Sequence, residues 1–401
     1  MKTAPIERMS DLQLDLAILG GGVAGLWLLA RLRRQGYRAV LIETDRLGAG
    51  QTRYAQGIIH GGTKYALTGK LSEPAKMVAQ MPARWRACLA GEGELDLSGA
   101  QLLSAHQFLW STTDITSRLA GFFASKLMRS RMQALDEAAY PPLFRNAAFH
   151  GQVYQLDEPV LDVASLLRAL AEPHREVILK AEAAAIELQV GTPCRVSLPG
   201  LTFTARKLVF AAGQGNQALL EKLHRPGPKM QLRPLQMVAL RGGLPKTFAH
   251  CLGASITPRV TLTSHQDRQG QTVWYLGGQL AEAGVDREAA AQIAVAEKEL
   301  AGLFPWHDFS ACEWITLPIA RAEVQVGGSL PDDVYADEQD HVITVWPTKL
   351  ALAPVVAERV ETRLQQDGIR PGDGPDLVHA LDNYSRPDYA PLPWQEEERW
   401  S

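Results

Sequence analysis

Cysteine is scarce and unpaired. Cys88, Cys194, Cys251 and Cys312 are the four in 401 residues, and no CxxC pair occurs among them. That argues against a zinc site or a disulfide framework, suits a reducing compartment, and leaves the thiols to act as small hydrophobes. No metal site is expected. An excess of one charge sign is missing too. Lysine and arginine number 41 against 44 acidic residues, a net charge of −3, so the basic footprint of a nucleic-acid binder is absent. Long apolar runs are also lacking. The richest, Leu14 to Leu32, is broken by three successive glycines, opened by Asp15 and closed by Arg31, a poor fit to a membrane span. Met1 to Asp11 carries mixed charges and no apolar core of a secretory signal. A soluble, cytoplasmic protein with no transmembrane segment is the expectation.

What is present is ordinary globular composition, 46% hydrophobic and 21% charged over 401 residues. That length is too great for one common core, so two domains are expected. The opening segment has the pattern strand, turn, helix, strand. Leu14 to Leu19 is an apolar run suited to a buried parallel strand, and Val23 to Gln35 carries a helical apolar face ending at Gly36. Arg38 to Ile42 follows as a second strand ending at Glu43. Leu71 to Leu135 looks mostly helical, Asp157 to Leu170 a helix, and Val177 to Leu188 strands. Lys207 to Gly213 is a strand running into a glycine turn. Met237 to Arg241, Arg259 to Ser264 and Thr272 to Leu276 look like antiparallel strands, with a polar turn at Asp267 to Gln271. Val342 to Trp346 adds a strand and Leu350 to Gln365 a helix.

Gly20-Gly21-Gly22-Val23-Ala24-Gly25 fits the G-x-G-x-x-G fingerprint. Its first glycine permits the tight turn, the second lets backbone approach a pyrophosphate, and the third lets helix and strand pack closely. The helix start then offers free amides and partial positive charge to the phosphates. Glu43 stands eighteen residues beyond Gly25, where a carboxylate can accept both ribose hydroxyls. This segment alone leaves NAD and FAD open.

Three later segments favour FAD. Gly48 to Tyr65 is glycine-rich, with Thr52 and Arg53 embedded, and suits a long cofactor. Ala211-Ala212-Gly213 is a turn after a buried strand. Trp346-Pro347-Thr348-Lys349-Leu350 joins a strand to a helix whose first amides suit an electron-rich acceptor. With these residues the chain resembles FAD-dependent oxidoreductases of the D-amino-acid oxidase superfamily, which have the glutathione-reductase-type FAD fold. Ile59-His60-Gly61-Gly62-Thr63-Lys64-Tyr65 is similar to a run in glycerol-3-phosphate dehydrogenases and to a His-containing segment of hydroxyglutarate oxidases; glycine oxidase belongs to the same circle. Thr348-Lys349-Leu350 resembles their Gly-Lys-Leu element, although Trp-Pro-Thr-Lys here replaces a glycine-rich approach.

The resemblance implies an α/β fold, a Rossmann-like FAD-binding domain with a second α+β substrate domain built on a mostly antiparallel sheet. The FAD-binding domain is expected over 1–78, 155–222 and 322–401, and the substrate domain over 79–154 and 223–321. It further implies that Gly20, Gly22, Val23, Ala24 and Gly25 hold the pyrophosphate and Glu43 the adenosine ribose. Thr52 and Arg53 lie on the phosphate and ribityl side, Ala185 near adenine, Ala212 and Gly213 beside the cofactor, and Thr348, Lys349 and Leu350 at the flavin pyrimidine edge. Arg321 and Lys64 with Tyr65 take the places of an anion-binding group, and Tyr275 is a further candidate for that cavity.

His60 has the intrinsic pKa of a base. A wall on the flavin face, or a satisfied core histidine, are equally compatible roles. Lys349 is a catalytic cation or a solvated surface charge, and Lys64 an anion ligand or a plain surface lysine. The expected activity is hydride transfer from a small anionic substrate, a hydroxy acid, polyol phosphate or amino acid, to flavin N5. The alternatives are a non-catalytic flavin-binding protein and an NAD-dependent dehydrogenase. The sequence does not specify the electron acceptor.

Overall fold

The computed structural model describes residues 12–62, 73–111, 132–253, 257–325, 333–372 and 381–400. The chain divides into two compact units, one built from residues 1–52, 167–231 and 322–390, the other from 53–166, 232–321 and 391–401. The units exchange chain at 52/53, 166/167, 231/232, 321/322 and 390/391; the sequence expectation sets the exchanges at 78/79, 154/155, 222/223 and 321/322. Residues from Arg53 onward go with the second unit because they bond within it. Gln56 Nε2 donates to the Tyr275 carbonyl at 3.0 Å, and Ile58 bridges to Val160.

The first unit is an α/β layer structure on an eight-stranded sheet. Its centre is parallel: Val342–Trp346, Leu201–Phe210, β1 (Gln13–Leu19), β2 (Ala39–Glu43) and Ile178–Lys180 lie side by side. Ile18 pairs with Val209 on one side and Leu41 on the other. Both sheet faces are covered, so these strands are continuous apolar runs rather than alternating ones. α1 (Val23–Arg34) follows the glycine turn, with Leu26, Trp27, Leu28, Leu29 and Leu32 buried, and its Arg31 Nε pairs with Glu361 at 2.7 Å. Antiparallel strands Tyr335–Gln339 and Cys194–Leu198 flank the parallel set.

The second unit carries the other eight-stranded sheet, mostly antiparallel. Met230–Arg241 pairs with Thr272–Gly277, which pairs with Val260–Gln266 through the turn at Asp267, whose Oδ1 accepts the amides of Gln269 and Gln271. One junction is parallel, His250 lying opposite Leu109. Helix Ala289–Leu303 buries Gln292, Ala296 and Leu300, a helical stripe, over a core holding Trp110, Phe144, Trp274 and Phe304.

Departures from the sequence expectation sit in short elements. Within 71–135 the helix Glu73–Leu89 forms, but Leu102–Ser104, Gln107–Ser111 and Met132–Ala134 are strands. The helix expected from Asp157 begins at Val163, after a two-residue strand at Val160–Leu161. Val177 to Leu188 is not strand throughout, since a 3-10 turn occupies Ala183–Ala185. Trp274 and Tyr275 are both buried and hydrogen-bonded to backbone carbonyls, of Pro245 and Tyr54. Tyr275 is therefore fully buried, with its hydroxyl already bonded. Among the described residues no helix is long and apolar enough to cross a membrane.

Candidate active site

In the first unit the glycine turn is built by close approach. Gly20 has φ +117°, and a Cβ at Gly25 would stand 2.0 Å from the Gly20 carbonyl oxygen. α1 therefore starts directly above the end of β1. Its N-cap, Gly22, has no side-chain cap, and its first turn holds no acidic residue. Thr52 Oγ1 accepts the Val23 amide at 3.2 Å, fixing Thr52 beside the helix start. Glu43 Oε2 accepts the Gly21 amide at 2.5 Å and Oε1 those of Thr44 and Asp45 at 2.7 and 2.9 Å. A carboxylate offers about four acceptor sites, so Glu43 keeps capacity for a ribose hydroxyl. A helix start whose N-cap glycine supplies no side-chain cap, a cradle that a single Cβ would fill and a residual acceptor together fit a dinucleotide pyrophosphate.

The same unit holds the other cofactor-side candidates. The Ala212 amide donates to Asn216 Oδ1 at 2.8 Å, and the buried Asn216 donates from Nδ2 to Val345 O at 3.0 Å. Trp346 Nε1 donates to the Gly213 carbonyl at 3.0 Å. The Ala212-Gly213 turn is thus tied to the strand that leads to Thr348. Sequence reasoning passes over Asn216, although an Asn three residues after a turn glycine is a plausible brace. Lys349 is extended (φ −140°, ψ 148°) and opens a 3-10 turn, Leu350–Leu352, that runs into helix Ala353–Gln366. Thr348 has φ +60°. Ala185 ends its 3-10 turn, half-buried.

Arg53 belongs to the second unit. Its Nη2 pairs with Glu396 at 2.5 Å and its guanidinium lies 5.2 Å from the Tyr54 ring centre. Arg321 lies in the strand Glu313–Val324, half-buried and three residues before its end. Lys64 and Tyr65 lie outside the described residues.

His60 is held by a short backbone graft. Gly57 has φ +76°, and a Cβ there would come within 2.0 Å of the Leu161 carbonyl oxygen, so only glycine lets the two segments approach. Ile58 then bridges antiparallel to Val160, and the Ile59 amide donates to Pro159 O at 2.9 Å. This puts His60 beside Glu158, with Nδ1 3.2 Å from Oε2, while the Gly61 amide donates to Oε1 at 2.8 Å. His250 stacks on His60, ring centres 6.0 Å apart at 25°, and its Nδ1 is 3.0 Å from Thr261 Oγ1. Burial works against charge on Glu158, but the bond from His60, the fields of His60 and His250, and the Gly61 amide hold its carboxyl down at about 2. Burial pushes His250 down to about 4. One ligand atom from each of His60, Glu158 and His250 lies within 4.8 Å of the others, a convergence that the sequence, which points to no metal site, does not announce.

A parallel sheet with a glycine-lined helix start, and a second unit on an antiparallel sheet with a half-exposed histidine bonded to a buried carboxylate, fit a dinucleotide-dependent oxidoreductase. The chain belongs to the FAD dependent oxidoreductase (DAO) family, whose profile matches residues 15–380. It is 46% identical over 387 residues to a probable FAD-dependent oxidoreductase of Pseudomonas aeruginosa, PA4991, covering 96% of this chain and 98% of that one. The crystal structure of PA4991 superposes with a TM-score of 0.84 at 43% identity, over 97% of this chain and 99% of that one. Glycine oxidase from Geobacillus kaustophilus shares the fold at 16% identity (TM-score 0.64; 93% and 100% covered). So does L-alpha-glycerophosphate oxidase from Mycoplasma pneumoniae with FAD bound, at 14% (0.63; 95% and 97%). FAD, not NAD, is therefore the cofactor, and the chain is an FAD-dependent oxidoreductase.

Proposed function

We propose that this enzyme oxidises a small anionic substrate at a CH–OH or CH–NH carbon, with Arg321 binding the anion and His60 accepting the hydroxyl or amine proton. The observation that carries the reading is the half-exposed His60 ring, anchored through one nitrogen to a buried carboxylate. Such an anchor leaves the other nitrogen for proton transfer. The guanidinium fork of Arg321 suits a carboxylate or a phosphate, and Lys64 with Tyr65 serve the same anion. FAD, when bound, supplies a two-electron acceptor for the substrate's C–H hydrogen as hydride at N5. Gly20, Gly22 and Gly25 admit its pyrophosphate, and Glu43 its ribose. Lys349 and the amides after it stabilise negative charge at the pyrimidine edge.

Glycine oxidase and glycerophosphate oxidase act by name on an amino acid and a polyol phosphate, both small anions. Hydroxy acids and polyol phosphates are favoured here, because the His60 segment resembles that group of enzymes. The test is anaerobic bleaching of the bound flavin by a panel of hydroxy acids, polyol and sugar phosphates and amino acids. A hydroxylated anion is expected to bleach it. Bleaching by amino acids alone would refute the hydroxyl preference, and no bleaching by any small anion would refute the proposal.

A further inference from the structure

We infer that Glu158 is the positioning residue for His60, accepting the hydrogen bond from its Nδ1–H and so leaving Nε2 as the nitrogen that meets substrate. This rests on the reading of His60 as the proton acceptor. Glu158 is only 3% exposed at its side chain, whereas 42% of the His60 side chain is open. An ionised carboxylate only accepts hydrogen bonds, so the proton in the 3.2 Å contact belongs to Nδ1. The other carboxylate oxygen is held by the Gly61 amide at 2.8 Å. Glu158 therefore clamps two consecutive residues and fixes both the ring's tautomer and its direction, the duty of an orienting carboxylate behind a catalytic histidine. Among the described residues, Glu158 and His250 are the titratable groups set against the His60 ring. His250 is committed to Thr261 through Nδ1 and is neutral at working pH, so it backs the ring without adding a second charge.

Glutamine at 158 would offer one accepting oxygen and one donating amide, and cannot accept from both His60 and Gly61. The experiment uses holoenzyme labelled with 15N-histidine at about pH 8.5, where an ordinary imidazole carries one proton; His60→Gln assigns the His60 signals. The wild type is expected to carry its proton on Nδ1, and Glu158→Gln to move it largely to Nε2. With a substrate that bleaches the flavin, kcat of Glu158→Gln should fall roughly 100-fold, the scale of lost general-base catalysis. KM and flavin content should stay unchanged, and Glu158→Asp should recover part of the rate. An Nε2-protonated wild type would overturn the inference, as would a Glu158→Gln defect confined to KM. Stoichiometric divalent metal in purified protein, lost in His250→Ala, would overturn it as well, by making the cluster a metal centre. The tautomer is read without substrate, so a failed substrate panel strikes the reaction alone and a wrong tautomer strikes Glu158 alone.

Discussion

Gly25 faces the carbonyl oxygen of Gly20 at a distance that admits only hydrogen, since a methyl carbon at Gly25 would lie 2.0 Å from that oxygen. Five residues apart in sequence, the two glycines set how closely α1 descends on β1. The same approach sets the first amides of the helix beside the turn, where Gly22 offers them no side-chain cap. Glu43 reinforces it from the neighbouring strand by accepting the Gly21 amide.

Gly25→Ala should therefore cost the protein its flavin. The methyl group must push α1 away from the turn, and the clash is with backbone, which has little room to give. The purified variant is expected to show a flavin-to-protein absorbance ratio at least tenfold below wild type after dialysis. A variant that retains full yellow colour would show that the turn does not grip the cofactor.

Thr348 makes the opposite case, a strained residue where glycine would fit. Its φ of +60° places a β-branched side chain in the left-handed region, which costs on the order of 1–3 kcal/mol. Its hydroxyl compensates in part by donating to the Pro347 carbonyl at 2.6 Å. Thr348→Gly should raise the thermal midpoint by about 1 °C, the shift that about 1 kcal/mol of relieved strain gives in a chain of 401 residues. Calorimetry of the holoenzyme checks this, and an unchanged or lowered midpoint would mean the surroundings already compensate the strain.

The opening βαβ unit was legible because each part carries its own local signal: an apolar run at β1, glycines at the turn, helical periodicity in α1 and an acid at the end of β2. Val342–Trp346 was equally plain, four apolar residues around Thr344, closed by Pro347. The short strands between residues 100 and 161 were not, because two to five residues hold too few alternations to separate strand from helix. Glu158 and His250 were invisible for a different reason. They lie 98 and 190 residues from His60, and what joins them is sheet register and one bridge, Ile58 to Val160. Arg53, one residue past Thr52, pairs with Glu396 far along the chain, a partner that no local pattern announces.

Two buried histidines make stability fall in mild acid. Burial holds His250 at about 4 and His265 at about 3. The unfolded chain, with ordinary values near about 6.5, thus binds protons that the folded chain refuses. Their contribution is fully present above the unfolded value and is lost as pH falls through the folded ones, each histidine adding a slope of up to about 1.4 kcal/mol per pH unit in that window. His265 stacks on Trp394, ring centres 4.3 Å apart, and bonds Thr263 through Nε2. Urea midpoints should therefore drop between pH 7 and pH 5, and His265→Gln should flatten the drop. Parallel pH profiles for the two proteins would place the acid sensitivity elsewhere.

Replacing Arg321 should separate substrate capture from cofactor retention. It lies in the second unit, in a strand whose neighbours alternate between buried Ile319 and exposed Ala320. The glycine turn, Glu43 and Thr52 all lie in the first unit. If the guanidinium binds the substrate anion, removing it takes away a charged, two-pronged hydrogen bond worth about 1.5–3 kcal/mol. Arg321→Ala should then raise KM for the bleaching substrate by roughly tenfold or more, with flavin content and thermal midpoint held near wild type. Arg321→Lys should recover little, because a single ammonium cannot reproduce the fork. Steady-state kinetics beside the flavin absorbance ratio decides it: loss of flavin in Arg321→Ala would assign this arginine to the cofactor, and an unchanged KM would remove it from the substrate.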